Sequence, residues 1–195
     1  MVDLLRSAYY AVRRRLRPVK AGARRARDLL DRTLHPRRHR AARRLIADLR
    51  PGSIVFVCLG NVCRSPYAEW TARPRLGPSV EVSSAGFIGP DRAPPDTALD
   101  VARARGVDHG ASRSTLVTQA SLAGVDLAVV FDAAHGRRLR RMAPVPVVHL
   151  ADVDPRWWGE RTIVDPWGKE STAFEYTFDR IDSGVGALAR LMTEP

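Results

Sequence analysis

The chain has 195 residues, 45% of them apolar, and 32 Lys and Arg against 21 Asp and Glu, a formal charge of +11. That is enough chain for one ordinary domain with a core, and no apolar run approaches the roughly 20 residues that span a bilayer, which excludes an integral helical membrane protein. Two cysteines, Cys58 and Cys63, are too few for a secreted disulfide framework and cannot by themselves complete a four-ligand zinc site. The opening Met1–Val12 stretch has no basic leader and carries Arg6 among its apolar residues, so the expectation is a cytoplasmic protein, soluble or peripheral to a membrane.

The charge is concentrated at one end. Residues 1–50 hold 16 Lys and Arg against 4 Asp, a net of +12, and residues 51–195 hold 16 basic against 17 acidic side chains, a net of −1. The helix-stopping sequence Arg50-Pro51-Gly52 marks the boundary, so the chain divides into a basic amphipathic helical extension, 1–50, and a domain, 51–195. In the extension, Leu4, Leu5, Ala8, Tyr9, Val12 and Leu16 recur at helical spacing, and Ala41, Ala42, Leu45, Ile46 and Leu49 do so again. Pro18, Gly22 and Pro36 predict breaks, and the polar faces are arginine-rich, as in Arg13-Arg14-Arg15, Arg24-Arg25 and Arg37-Arg38.

Past Gly52, short apolar runs alternate with helical ones. Ser53–Cys58, Val80–Ser84, Asp126–Phe131 and Val145–Leu150 read as strands buried on both faces. Helical patterns cover Ser65–Ala72, Thr97–Gly106, Ala133–Met142 and about Ser171–Met192. This alternation predicts an α/β fold, a parallel sheet with helices on both faces.

The first strand runs directly into Cys58-Leu-Gly-Asn-Val-Cys63-Arg64-Ser65-Pro66. Ser65 reads as a helix N-cap, Pro66 suits the first helical position and Glu69 puts an acid in the first turn. Gly60 and Asn61 are the two residue types that accept positive φ at low cost. The N–H groups of Leu59, Gly60, Asn61, Val62, Cys63, Arg64 and Ser65 are thereby expected to converge on one anion at a helix N-terminus. Convergent dipoles and a guanidinium favour the thiolate, the nucleophilic form of Cys58, while Arg64 offers a planar fork to two phosphate oxygens. A dianion cradle with a sulfur beneath its phosphorus specifies phosphoryl transfer to cysteine. The plainer alternative is an inert strand cysteine, a surface arginine and an ordinary turn.

Val57–Glu69 resembles the signature of the low-molecular-weight protein tyrosine phosphatases, and the likeness extends over about residues 52–194 through Ser84-Ala-Gly86, Asp126–Asp132 and Asp165–Glu170. The resemblance implies a four-stranded parallel sheet in order 2-1-3-4 with the phosphate loop after strand 1. It implies hydrolysis of aryl phosphates on a phosphotyrosine protein substrate through a cysteinyl-phosphate, with no metal and no cofactor. It also implies that Ser65 hydrogen-bonds the thiolate, that Asn61 and Ser84 hold the loop, and that Asp165, in an Asp-Pro pair before the last helix, is the general acid. Asp154-Pro155 is a second such pair, set at the wrong distance from that helix; either pair read alone is a turn initiator.

Three positions depart from the family. An aromatic substrate wall expected after Ser-Ala-Gly is met only by Phe87, and Trp167 replaces the tyrosines that commonly follow the Asp-Pro; with Leu59 these form the candidate wall. A histidine usual near this stretch is out of register, Ala111 being the nearest match and His109 two positions off. None of His35, His39, His109, His135 and His149 receives a role beyond solvated surface or packing. Cys63 is either a redox partner able to reach Cys58 or a small buried apolar residue.

Two rival functions stand. Arsenate reductases on this fold use further cysteines, and none follows Cys63. A noncatalytic phosphate- or nucleic-acid-binding protein draws support only from the basic extension, which lacks interleaved aromatics. For residues 1–50 the favoured expectation is association with an anionic membrane surface, ahead of nucleic-acid binding or packing on the domain.

Overall fold

The computed structural model describes residue 26 and residues 28–193. The apolar stripe from Leu4 to Leu16 lies outside the described residues. Helix α1 runs over 28–49 and is followed by β1 (Ser53–Cys58), α2 (Arg64–Leu76), β2 (Glu81–Gly86) and α3 (Asp96–Arg103). A 3₁₀ turn (Ala120–Leu122) precedes β3 (Leu127–Val130), α4 (Ala133–Met142), β4 (Val147–His149), α5 (Leu150–Val153) and α6 (Ser171–Thr193). The strands form one parallel sheet in the order β2-β1-β3-β4.

The pleat of β1 builds two cores. Ile54, Phe56 and Cys58 face a large cluster with Tyr67, Phe178, Ile181 and Val185, from α2 and α6. Val55 and Val57 face a smaller one with Ala128, Val130 and Leu139, under α4. A strand buried on both sides needs a continuous apolar run, and β1 and β3 have one. β2 does not: it is an edge strand that begins at the exposed Glu81 and leaves Ser83 and Ser84 half-buried, so full burial of all four strands does not hold.

Helix α1 packs on the domain. Ala42 and Ile46 enter the larger core, and His35 Nε2 and His39 Nδ1 meet the carbonyls of Pro155 (3.3 Å) and Asp152 (3.1 Å). Burial of one such isoleucine is worth about 1.5–3 kcal/mol, comparable to the roughly 3 kcal/mol penalty of a proline inside a helix. The predicted break at Pro36 accordingly does not occur, and Pro74 likewise sits inside α2.

Candidate active site

β1 delivers Cys58 to the carboxyl end of the sheet, between β2 on one side and β3 on the other. Parallel sheets bind ligands at such a topological switch point. Helix α2 begins at Arg64 with Cys63 as its N-cap residue and no side-chain cap, so Ser65 is not the cap and Glu69 lies beyond the first turn. The hydroxyl of Ser65 has another use. Its Oγ accepts from Asn61 Nδ2 at 2.8 Å and lies 3.1 Å from Cys58 Sγ but 3.4 Å from Ala85 O, so its own hydrogen is best directed to sulfur. Asn61 N also donates to Cys58 Sγ, at 3.2 Å. Both contacts stabilise negative charge on sulfur.

Asn61 is the residue that bends the loop, at φ 50°; Gly60 is not in the left-handed region. Its amide is fully engaged, with Nδ2 also donating to Ser84 Oγ (2.8 Å) and Oδ1 accepting from Thr115 N (2.7 Å). Ser84 passes its own hydrogen to Glu69 Oε2 at 2.6 Å. The Thr115 N–H thus ties the loop across the site from the segment in which the family's histidine is out of register. Outside the loop, Leu59 O accepts from Phe87 N and Ile88 N, and Gly60 O accepts from Arg92 Nη2 at 2.8 Å. With these carbonyls held outward, the N–H groups of Gly60, Val62 and Cys63 meet no acceptor among the described residues. Gly86 permits the close approach, since a Cβ there would stand 2.7 Å from Asn61 N.

Arg64 is 3% exposed. Its Nη1 donates to Ile163 O (3.1 Å), its Nη2 to Asp165 Oδ2 (2.6 Å), and its buried Nε has no acceptor among the described residues. Asp132 Oδ2 lies 4.0 Å from Nη1 and 2.8 Å from His135 Nδ1, an ion-pair approach rather than an aligned hydrogen bond. Burial alone would raise the Asp132 carboxyl, but His135 and Arg64 outweigh it and hold it down to about 2. Burial, with the charges of Asp165 and Cys58, pushes the Cys63 thiol far above its ordinary value, so Cys63 is a neutral thiol and both cysteines are free.

The two Asp-Pro pairs separate. Asp165 pairs with Arg64, whereas Asp154 is buried away from it, accepting from Arg156 N and Trp158 Nε1. Of the candidate wall, Leu59 (40% exposed) and Trp167 (53%) are open, but Phe87 (6%) is not. Phe87 packs on His135 with Arg138 4.3 Å above its ring, and its neighbour Ile88 is exposed. The histidines are packed rather than solvated: four are buried and His39 is half-buried. Sequence reasoning assigned no role to Asp132, Thr115, Arg92 or Ile163; only Asp132, directly after a buried strand, carried a positional signal. Among the described residues no three His, Cys, Asp or Glu gather as a metal site.

A cysteine at the end of a central parallel strand, a loop in which the N–H groups of Gly60, Val62 and Cys63 meet no acceptor among the described residues, and a buried arginine at a helix start are the arrangement of a cysteine-dependent phosphatase of the phosphate-loop type. The sequence matches the low molecular weight phosphotyrosine protein phosphatase family over residues 53–194, and the chain belongs to it. It is 34% identical over 149 residues to the low molecular weight protein-tyrosine-phosphatase Etp of Escherichia coli K12, covering 76% of this chain and 99% of that one. A Streptomyces coelicolor low molecular weight protein-tyrosine-phosphatase is 34% identical over 156 residues, covering 72% and 93%. Among solved structures, the tyrosine phosphatase Wzb of E. coli K30, crystallised with sulphate, superimposes with a TM-score of 0.65 at 28% identity, over 72% of this chain and 97% of that one. The chain is therefore a protein-tyrosine phosphatase, and residues 1–52 lie outside the family segment.

Proposed function

We propose that Cys58 is the nucleophile, Arg64 the phosphate clamp and Asp165 the general acid in hydrolysis of a phosphotyrosine protein through a cysteinyl-phosphate. The observation that supports this most is the pair of donors on one sulfur, Asn61 N at 3.2 Å and Ser65 Oγ at 3.1 Å, in the crevice that holds the Arg64–Asp165 pair. In the first step Cys58 Sγ attacks phosphorus in line and the P–O bond breaks toward the phenolic oxygen, which takes the proton of Asp165. Asp165 then removes a proton from water, which attacks phosphorus, and sulfur leaves as a thiolate held by Ser65 and Asn61. The N–H groups of residues 59–65 and the Arg64 fork stabilise the equatorial oxygens in both steps.

The 2.6 Å pair between Arg64 and Asp165 gives the cycle an exchange. An incoming phosphate dianion competes for Arg64 through Nη2 and the partnerless Nε, and the displaced carboxyl is left beside the leaving oxygen. Leu59, Ile88 and Trp167 surround the approach with apolar surface for the phenol ring. Cys63 is a candidate redox partner: a sulfenic acid on Cys58 would condense with its thiol to a disulfide and water.

The protein is read as cytoplasmic, with residues 1–50 holding it reversibly to an anionic membrane surface; no helix among the described residues is long and apolar enough to cross one. An arsenate reductase is disfavoured because no cysteine follows Cys63. The deciding experiment is acid-quench trapping with a labelled phosphotyrosyl peptide. Label should stay on wild-type protein at Cys58, and Cys58→Ser should lose both label transfer and aryl-phosphate turnover with its thermal unfolding unchanged. Near-wild-type turnover by a folded Cys58→Ser protein would overturn the assignment.

A further inference from the structure

At the opposite end of the sheet from Cys58, α1 and the domain flank an open cavity of about 890 Å³. Pro51, Gly52, Ser79 and Val80, which lead into β1 and β2, line it, whereas Cys58 and Gly86 close those strands at the far end. Six residues of strand separate the two poles by roughly 20 Å.

Four arginines line this cavity: Arg40, Arg43, Arg44 and Arg50. The first three share a helix face at i, i+3 and i+4. All four are exposed, and no side-chain hydrogen bond or ion pair engages any of them among the described residues. Elsewhere Arg38, Arg64, Arg105 and Arg161 each contact an aspartate within 2.7 Å; what marks these four is that they gather around one cavity. Among the described residues no carboxylate lines the cavity; Asp126, next to Gly52, is already held by Gly52 N, Ser53 N and Ser53 Oγ. Like charges gathered without counter-charges repel, and an external anion relieves that repulsion.

The remaining lining chooses the anion. Ile46, Val80, Leu191 and Met192 contribute apolar surface, and among the described residues no aromatic lines the cavity to stack on a base. The occupant must therefore carry negative charge on an apolar body. We infer that this cavity seats the phosphate headgroup and glycerol–acyl neck of an anionic phospholipid at a bilayer surface. The inference rests on the membrane-surface reading of residues 1–50 and gives that reading a defined contact and an orientation. Because the cavity and the catalytic loop lie at opposite poles, the docked enzyme turns Cys58 away from the bilayer, toward phosphotyrosines on cytoplasmic segments standing clear of the lipid. The arginines all precede residue 53, so this is a property that the extension adds to the family fold.

The test uses full-length protein. Wild type should pellet with phosphatidylglycerol-containing vesicles and not with pure phosphatidylcholine vesicles at physiological salt. Two variants remove the same four charges from different places, R40Q/R43Q/R44Q/R50Q and R13Q/R14Q/R15Q/R17Q. The cavity variant should lose at least ~10-fold in vesicle affinity and the other clearly less, with aryl-phosphate turnover unchanged in both. Equal losses, or none in the cavity variant, would overturn the inference while the membrane reading stood. Wild type that pellets with neither vesicle would defeat the membrane reading itself. The methyl signal of Met192 then reports on the cavity alone: water-soluble short-chain phosphatidylglycerol should shift it in wild type and not in the cavity variant. A silent Met192, or a shift produced more strongly by duplex DNA than by lipid, would overturn the lipid assignment.

Discussion

Asp154-Pro155 and Asp165-Pro166 are the same dipeptide, each followed within two residues by tryptophan, and the fold uses them oppositely. Asp154 is 2% exposed and saturated: Arg156 N, Trp158 Nε1 and the Ser183 hydroxyl all donate to it. Asp165 keeps 39% of its side chain exposed and has two donors, Arg64 Nη2 and Trp167 N. A carboxylate whose lone pairs are all committed in a buried network is structural, because moving its proton would break the network. One that is half open to solvent, with an exchangeable guanidinium on one oxygen and a long 3.3 Å backbone contact on the other, is free to give and take a proton.

That contrast sets the size of the expected effects. Asp165→Asn should cost roughly 10²–10⁴ in turnover of a phenyl phosphate with little change in unfolding temperature, and should tighten inhibition by inorganic phosphate, because Arg64 loses its competing carboxylate. Asp154→Asn should do the reverse, lowering stability by about 1–3 kcal/mol in urea unfolding while the folded fraction keeps its turnover. If the two variants exchanged these signatures, Asp154 would be the acid.

The last effect, similar in size to that of Asp154→Asn but confined to acid pH, concerns histidines that are unsaturated but buried. Burial holds His109 down to about 4, and burial with the Arg161 charge holds His149 down to about 3. In the unfolded chain both regain an ordinary value near 6.5. As pH falls below about 6.5 the unfolded chain binds protons that the folded chain refuses, so a stability contribution fully present at neutral pH is progressively lost toward pH 4 and 3. By pH 5 the loss is about 2 kcal/mol for each histidine. Among the described residues neither ring nitrogen of His109 has a hydrogen-bond partner. His109→Leu should therefore fall less than wild type between pH 7 and pH 5 in urea midpoint; an equal fall would show that His109 is protonated in the folded protein.

The β1–loop–α2 unit was legible because its signals are local. A continuous apolar run and Asn61 in the loop each act within a few residues, and the sheet order followed from the resemblance, whereas Pro66 stands at the third helical position and not the first, because α2 already starts at Arg64. The misses are long-range. Pro36 reads as a break until Ala42 and Ile46 are seen in the core, and the Ser65 hydroxyl reads as a cap until Cys58 and Asn61 are seen to claim it. Phe87 pairs in sequence with a wall role, but past Gly86 the chain turns it onto His135 and exposes Ile88 instead. Asp132, Arg92 and Thr115 act on residues 30 to 70 positions away, where no sequence periodicity reaches.

The central claim is that Asp165 protonates the oxygen expelled by Cys58. Its most direct test is the dependence of kcat/KM on leaving-group pKa across a series of aryl phosphates, measured for wild type, Asp165→Ala and Asp154→Ala. A shallow dependence in wild type and Asp154→Ala, with a steep one in Asp165→Ala that nearly closes the gap for the most activated phenols, is the predicted result. The same shallow slope in all three proteins would contradict it.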